Sequence, residues 1–232
     1  RLGVYISRTD GSPPTFLGLR DGFGDGISPD GKRVLATNAA GDQLVLMPAG
    51  PGDATRVHVE GCDRYRGAMW LPDGLRILVN CVQADSNLRS YVHDLQGGGP
   101  PRALTRENVW GVSVSADGLW VAAIASAGEG ISIWPVAGGP SRDVPFSRPG
   151  ERPEAWSNDG RFLWVFRRGE VPAEVWRVDV SSGQRHLWKK LAPPDPSGVY
   201  TITEFRITRD GRAYFYTYKR QVSQLYVATG LR

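Results

Sequence analysis

One phrase recurs five times along the chain and limits what it can become. It is a Ser or similar residue, a variable residue, Asp-Gly, and then an apolar run. It reads SPDGKRVLA from Ser28, LPDGLRILV from Leu71, SADGLWVAAIA from Ser115, SNDGRFLWVF from Ser157 and TRDGRAYFYTY from Thr208. The aspartates Asp30, Asp73, Asp117, Asp159 and Asp210 stand 43, 44, 42 and 51 residues apart. Asp-Gly between two apolar runs is a strong hairpin signal. The glycines Gly31, Gly74, Gly118, Gly160 and Gly211 supply the positive φ that closes such a turn, and the aspartates bond their own backbone. The lone aspartates have no carboxylate neighbour and read as turn residues rather than metal ligands.

The flanks complete a four-stranded unit. Residues 68–71 and 112–114 enter the turns; residues 75–82 and 119–125 leave them as nearly continuous apolar runs, the mark of burial on both faces. Third strands follow at 43–48, 130–136, 174–180 and 224–228. Fourth strands follow at 54–60, 101–105, 141–146 and 184–191, after short Gly- and Pro-rich turns. The segment 88–96 (LRSYVHDLQ) lacks Gly and Pro and could form a helical turn, but its position matches a third strand. Twenty-nine glycines and 17 prolines, about one residue in five, suit many short elements and exclude a helical bundle.

Four strands per 42–51 residues is the period of a β-propeller blade. The expected fold is all-β, with about five four-stranded antiparallel blades in a single domain over residues 1–232. Residues 1–19 would give a half-blade, and the blades would span 20–61, 62–108, 109–150, 151–198 and 199–232. The count is one strand above what five blades need. Either an N-terminal strand completes the last blade, or the chain is an open or partial ring. The sequence favours the open arc, whose exposed blade face would promote self-association.

The SPDG turn, its apolar second strand and the later LYV…G strand resemble the TolB-like propeller repeat, a relative of WD-type repeats, over almost the whole chain. The ending, WKKLAPPDPSGVYTI and then TRDGRAYFYTYKRQVSQLYVATGLR, resembles the C-terminal propeller region of bacterial membrane-anchored serine/threonine kinases. No Gly-rich phosphate loop, HRD-type loop or DFG is present. The resemblance implies a non-catalytic module, extracytoplasmic or periplasmic, that binds a protein, peptide or ligand as the sensor or scaffold part of a larger bacterial protein. The alternative is a propeller enzyme, or a peptidase-gating propeller, with its site in the funnel. An enzyme would gather carboxylates, His or a metal there; a binding module would have a neutral or aromatic-lined funnel.

Other classes fall away on residue chemistry. No run of 18 apolar residues exists, so direct membrane insertion is not expected. The chain begins at Arg1 with no apolar signal region and reads as processed or excerpted. The net charge of +4 is modest. The loops opposite the Asp-Gly turns hold ten basic and ten acidic residues. A nucleic-acid surface should be strongly one-signed, so none is expected. Asp21 and Asp25 in RDGFGDG lack the spacing and the bidentate Glu of an EF-hand, and the same glycines fail the dinucleotide fingerprint at Ile27. No GxSxG elbow appears. His58, His93 and His186 are expected at matching outer-strand places in different blades, each alone. No cofactor and no catalytic or metal residue is expected. Cys62 and Cys81 could pair if their Cα atoms approach within about 7 Å, but the sequence favours separate thiols.

Varied loops on a rigid scaffold are where binding sits. The candidate binding face is therefore the one opposite the Asp-Gly turns: Arg64, Tyr65, Arg66, Trp110, Arg152, Arg167, Arg168, Tyr200, Tyr218, Lys219 and Arg220. Tyr, Trp and Arg are the residue types that anchor protein interfaces. Trp70, Trp120, Trp156 and Trp164 read as blade-to-blade packing.

Overall fold

The computed structural model describes residues 3–83, 87–97, 99–126 and 128–223. These residues form 20 β-strands and no helix, so no helix is long and apolar enough to cross a membrane. A two-stranded sheet, β1 (Gly3–Ile6) and β2 (Thr15–Arg20), comes first. The first full blade is β3 (Gly22–Ile27), β4 (Arg33–Asn38), β5 (Leu44–Pro48) and β6 (Thr55–Val57). The second is β7 (Arg64–Trp70), β8 (Arg76–Val82), β9 (Arg89–Asp94) and β10 (Arg102–Ala103). The third is β11 (Val109–Val114), β12 (Trp120–Ala125), β13 (Ile131–Pro135) and β14 (Arg142–Asp143). One parallel bridge, Val109 to Arg89, joins these two blades into a continuous sheet. The fourth blade is β15 (Glu151–Trp156), β16 (Phe162–Arg167), β17 (Ala173–Asp179) and β18 (Arg185–Leu191). A pair, β19 (Val199–Ile207) and β20 (Tyr214–Arg220), follows. Within each blade neighbouring strands run antiparallel. The segment that could have been helical is strand β9. The third strand expected at 224–228 lies outside the described residues.

The repeated phrase builds the same loop each time. Gly31 N–H donates to the Ser28 carbonyl at 2.8 Å, and Gly31 takes φ 72°. The Ser28 hydroxyl donates to Asp30 and accepts from Arg33 N–H, while Asp30 also accepts from Lys32 N–H. Ser115 with Asp117, Ser157 with Asp159 and Thr208 with Asp210 repeat this set. The loop is thus a four-residue connection on a turn with Gly in its last position, longer than a two-residue hairpin. In the second blade Leu71 replaces the hydroxyl residue, and Asp73 binds Leu75 N–H, Arg76 N–H and the Arg76 guanidinium instead.

Strands β4, β8, β12 and β16 are buried at four or more successive positions. They form the middle layer of each blade, as their unbroken apolar runs imply. The core lies between blades. One cluster joins Leu35 and Leu44 to Tyr65, Trp70 and Ile77; another joins Ala122 and Ile133 to Trp156 and Leu163. Trp70 Nε1 donates to Gly26 O of the preceding blade, and Trp156 Nε1 to Ser113 O. Both indoles therefore tie one blade to the next. Several outer strands are shorter than expected: 54–60 contracts to Thr55–Val57, 101–105 to Arg102–Ala103, and 141–146 to Arg142–Asp143. Short exposed edges protect a sheet from pairing with another chain.

Three expectations are corrected. Cys62 and Cys81 are joined in a disulfide with Cα atoms 5.8 Å apart. The cause is register: Tyr65 lies opposite Cys81, so the approach to β7 runs past that residue. Tyr65 itself is buried, its hydroxyl receiving Val59 N–H at 3.2 Å. The histidines do not occupy matching places: His93 is on third strand β9, His186 on fourth strand β18, and His58 just beyond β6. His58 and His93 meet across one cleft.

The described strands leave the ring open by pairing. Among the described residues, β1–β2 and β19–β20 stay separate two-stranded sheets. Phe16, Tyr214 and Phe215 leave large apolar side chains exposed there.

Candidate functional site

The innermost strand of each blade breaks register at the same point. The irregularities fall at Gly24/Gly26 in β3, Tyr65/Ala68 in β7, Gly111/Ser113 in β11, Pro153/Ala155 in β15 and Ile202/Glu204 in β19. A β-bulge adds an unpaired residue and re-aims its side chain. Here the extra residues include Asp25, Arg66, Gly67, Val112, Glu154 and Thr203. Asp25, Arg66, Gly67, Val112 and Glu154 line one cavity of about 230 Å³ with Trp110, Arg152 and Arg206. A second cavity of about 270 Å³, lined by Met69, Val112, Glu154, Trp156 and Arg209, shares its wall. Together they form the central channel.

The channel is ionic, unlike the neutral or aromatic funnel expected of a binding module. Carboxylates do converge, but arginines hold two of them. Arg206 Nη1 donates to Glu154 Oε2 at 2.6 Å, and Arg152 Nε lies 3.5 Å from Glu154 Oε1. Arg168 of β16's outgoing loop bonds Glu204, which also lies 3.2 Å from Arg206. The Glu154 side chain is only 3% exposed. Burial raises its carboxyl above the ordinary range, while Arg206 and Arg152 pull it back. Burial likewise lowers the proton affinity of Arg152. Three atoms of the network are buried without a hydrogen-bond partner: Arg152 Nε, Glu154 Oε1 and Glu204 Oε2.

Asp25 faces this network from the first blade. Its Oδ2 accepts from the Thr37 hydroxyl at 2.5 Å. Burial pushes its carboxyl up to about 6, against the hydrogen bonds from Thr37 and from Ala68 N–H. Its tie to Ala68 crosses from β3 to β7, so Asp25 is a seam residue between the first two full blades. Among the described residues, no group of three or more His, Cys, Asp or Glu is arranged to hold a metal ion.

The eleven sequence candidates divide into three groups. Arg66, Trp110 and Arg152 line the channel, and Arg168 joins its rim through Glu204. Arg66 is exposed and, among the described residues, has no hydrogen-bond or ion-pair partner. Tyr65 belongs to the core. The remainder lie away from the channel. Arg167 binds Glu170 and the Pro149 carbonyl, and Arg220 pairs with Asp195 at 3.1 Å. Arg64, Tyr200, Tyr218 and Lys219 are exposed at strand ends. Sequence reasoning passed over Glu154, Glu204 and Arg206. Their only signal was charge inside otherwise strand-like runs, ERPEAW and TITEFRI.

No protein-family model matches the chain, and no curated protein matches it. Solved structures do. A candidate TolB from Agrobacterium tumefaciens aligns with TM-score 0.65 and 19% identity, over 87% of this chain and 76% of that one. TolB from Acinetobacter baumannii aligns with TM-score 0.67 and 16% identity, over 94% of this chain and 59% of that one. A chain of Kuenenia stuttgartiensis hydrazine synthase aligns with TM-score 0.55 and 18% identity, over 87% and 56%. The fold is a TolB-like β-propeller, and this chain spans only part of the length of those proteins.

Proposed function

We propose that the chain is a non-catalytic docking module that takes a protein or peptide segment at the mouth of the channel. One observation carries this reading. Arg66, a cation with no partner among the described residues, stands with the indole of Trp110 on bulged, rigid inner strands. Of the three carboxyls there, Glu154 and Glu204 are tied to arginines, which leaves Asp25, held by Thr37, single rather than one of an acid–base pair. An unpaired Arg and an aromatic ring lining one concave cavity are the composition of an interface anchor. A catalytic acid–base pair needs carboxyls free to exchange protons with substrate.

The disulfide supports an extracytoplasmic location, because such bonds persist in oxidising compartments. The sequence resemblance to kinase-linked propellers fits a sensor or scaffold role within a longer protein.

The test is selection of a random displayed peptide library on the purified propeller, with the R66E/W110A double variant as parallel bait. Peptides should be enriched on the wild type and lose binding at least tenfold on the variant, the loss typical of removing an anchor. Enriched peptides that bind both baits equally would place docking elsewhere.

A further inference from the structure

A larger cleft, of about 650 Å³, lies apart from the channel, between the first and second full blades. It sits beside the Asp-Gly turn of the second blade, on the face whose turns are monotonous in sequence. Its size is that of a small-molecule site. Leu46, Val57, Leu75 and Leu95 supply apolar lining, and His58 and His93 reach it from different blades.

The charges that line the cleft fall into two kinds. Arg33 and Asp94 are already committed. Arg33 donates to Gly74 O at 2.9 Å and stacks on Trp70 at 4.8 Å. Asp94 accepts from Gln96 N–H and Gly97 N–H at 2.8 and 3.1 Å. Arg56 and Glu60 are not committed: among the described residues neither has a hydrogen-bond or ion-pair partner, and they do not bridge to each other. The wall also contains an unmet polar atom. His93 is 7% exposed, and its Nδ1 is buried without a partner. Burial holds this imidazole below the ordinary histidine range, against the pull of Asp94 and helped by the nearby His58.

An unpaired cation and an unpaired anion at one apolar cleft select for a guest carrying both charges. A simple anion would meet Glu60, and a simple cation would meet Arg56. Three residues separate the two, so even with the chain fully extended their Cα atoms would lie no more than about 14 Å apart. With the side chains reaching inward, that span suits a molecule of two or three residues. We propose that the cleft binds a short zwitterionic peptide with apolar side chains. Its terminal carboxylate would sit on Arg56, its terminal ammonium on Glu60, and its side chains on Leu46, Val57, Leu75 and Leu95.

The experiment uses the dipeptide Leu-Leu and its end-blocked forms, followed by calorimetry and by the side-chain imidazole NMR signals of His58 and His93. Free Leu-Leu should bind and shift both imidazoles. Acetylating its amine or amidating its carboxylate should each weaken binding about tenfold, the worth of one charge-assisted contact. In R56A the acid and the amide should bind alike; in E60Q the free and acetylated amines should bind alike. Both side chains are exposed, so the variants keep the fold, checked by circular dichroism. Two results overturn the proposal: no heat and no imidazole shift up to about 10 mM peptide, where even millimolar affinity would register, or equal binding of the doubly blocked peptide. Binding at the channel is read separately through Arg66 and Trp110, so failure here leaves the docking proposal standing, and the reverse holds too.

Discussion

Arg206 on β19 and Glu154 on β15 join the inner strands of two successive blades through a 2.6 Å hydrogen bond beside the channel. The acid is buried and the guanidinium is about half exposed, 3% against 49%. Removing the arginine therefore strands a buried carboxylate, with only Arg152 left beside it. Arg206→Ala should lower stability by about 1–3 kcal/mol, less than for a fully buried pair because Arg206 is solvated and Arg152 remains. Arg206→Ala with Glu154→Gln should recover much of that loss. Urea midpoints of the two single variants and the double variant check both statements.

Asp25 makes the seam between the first two full blades sensitive to pH. Its carboxyl is raised from an ordinary 3.8 to about 6 by burial. The folded chain thus holds this proton more tightly than the unfolded chain. The contribution is fully present below about pH 3.8 and is lost as pH rises through about 6. At about 1.4 kcal/mol for each tenfold change in proton affinity, it amounts to about 3 kcal/mol. Asp25→Asn should flatten that part of the stability profile between pH 4 and 7, measured by urea titration at each pH. An unchanged slope would place the titration elsewhere.

The hairpins were legible because their chemistry is local: Ser28, Asp30, Gly31 and Arg33 close the loop among themselves. The middle strands were legible for the same reason, since LRILVNCV has no polar face to turn outward. The channel was legible only in part. Arg66, Trp110 and Arg152 stand out by type, but Glu154 and Arg206 meet only when two blades are packed side by side. The bulges that aim them leave no residue signature beyond a misplaced charge. The cysteine pair and the meeting of His58 with His93 likewise depend on register and blade order, which spacing along the chain does not report.

The Cys62–Cys81 disulfide closes a loop with a sequence separation of 19 around the entry to β7. A loop of that length restricts the unfolded chain by about 3 kcal/mol in the chain-entropy treatment. Reduction, or the double substitution to Ser, should lower stability by up to that amount. It should also loosen the segment that carries Arg64 and Arg66. Denaturant midpoints with and without a reducing agent test the first effect. Amide hydrogen exchange at residues 61–67 tests the second, and should rise more there than in β16.

Two glycines of the repeated turn separate backbone conformation from packing. Gly160 and Gly211 share nearly the same φ, 67° and 72°. A Cβ at Gly160 would meet nothing within 4 Å, whereas one at Gly211 would come 2.9 Å from Trp164 Cζ2. Trp164 is 6% exposed and packed edge-on against Trp188 at 5.3 Å, so it has little room to retreat. Gly160→Ala should cost about 1 kcal/mol, the penalty of a left-handed conformation alone. Gly211→Ala should cost that plus about 1–3 kcal/mol of overpacking between the fourth blade and β19–β20. Thermal melts of the two variants, with the Trp164→Phe background relieving only the second, distinguish the contributions. Equal losses at both sites would show that the fourth blade and the β19–β20 turn are less tightly packed than the Trp164 contact implies.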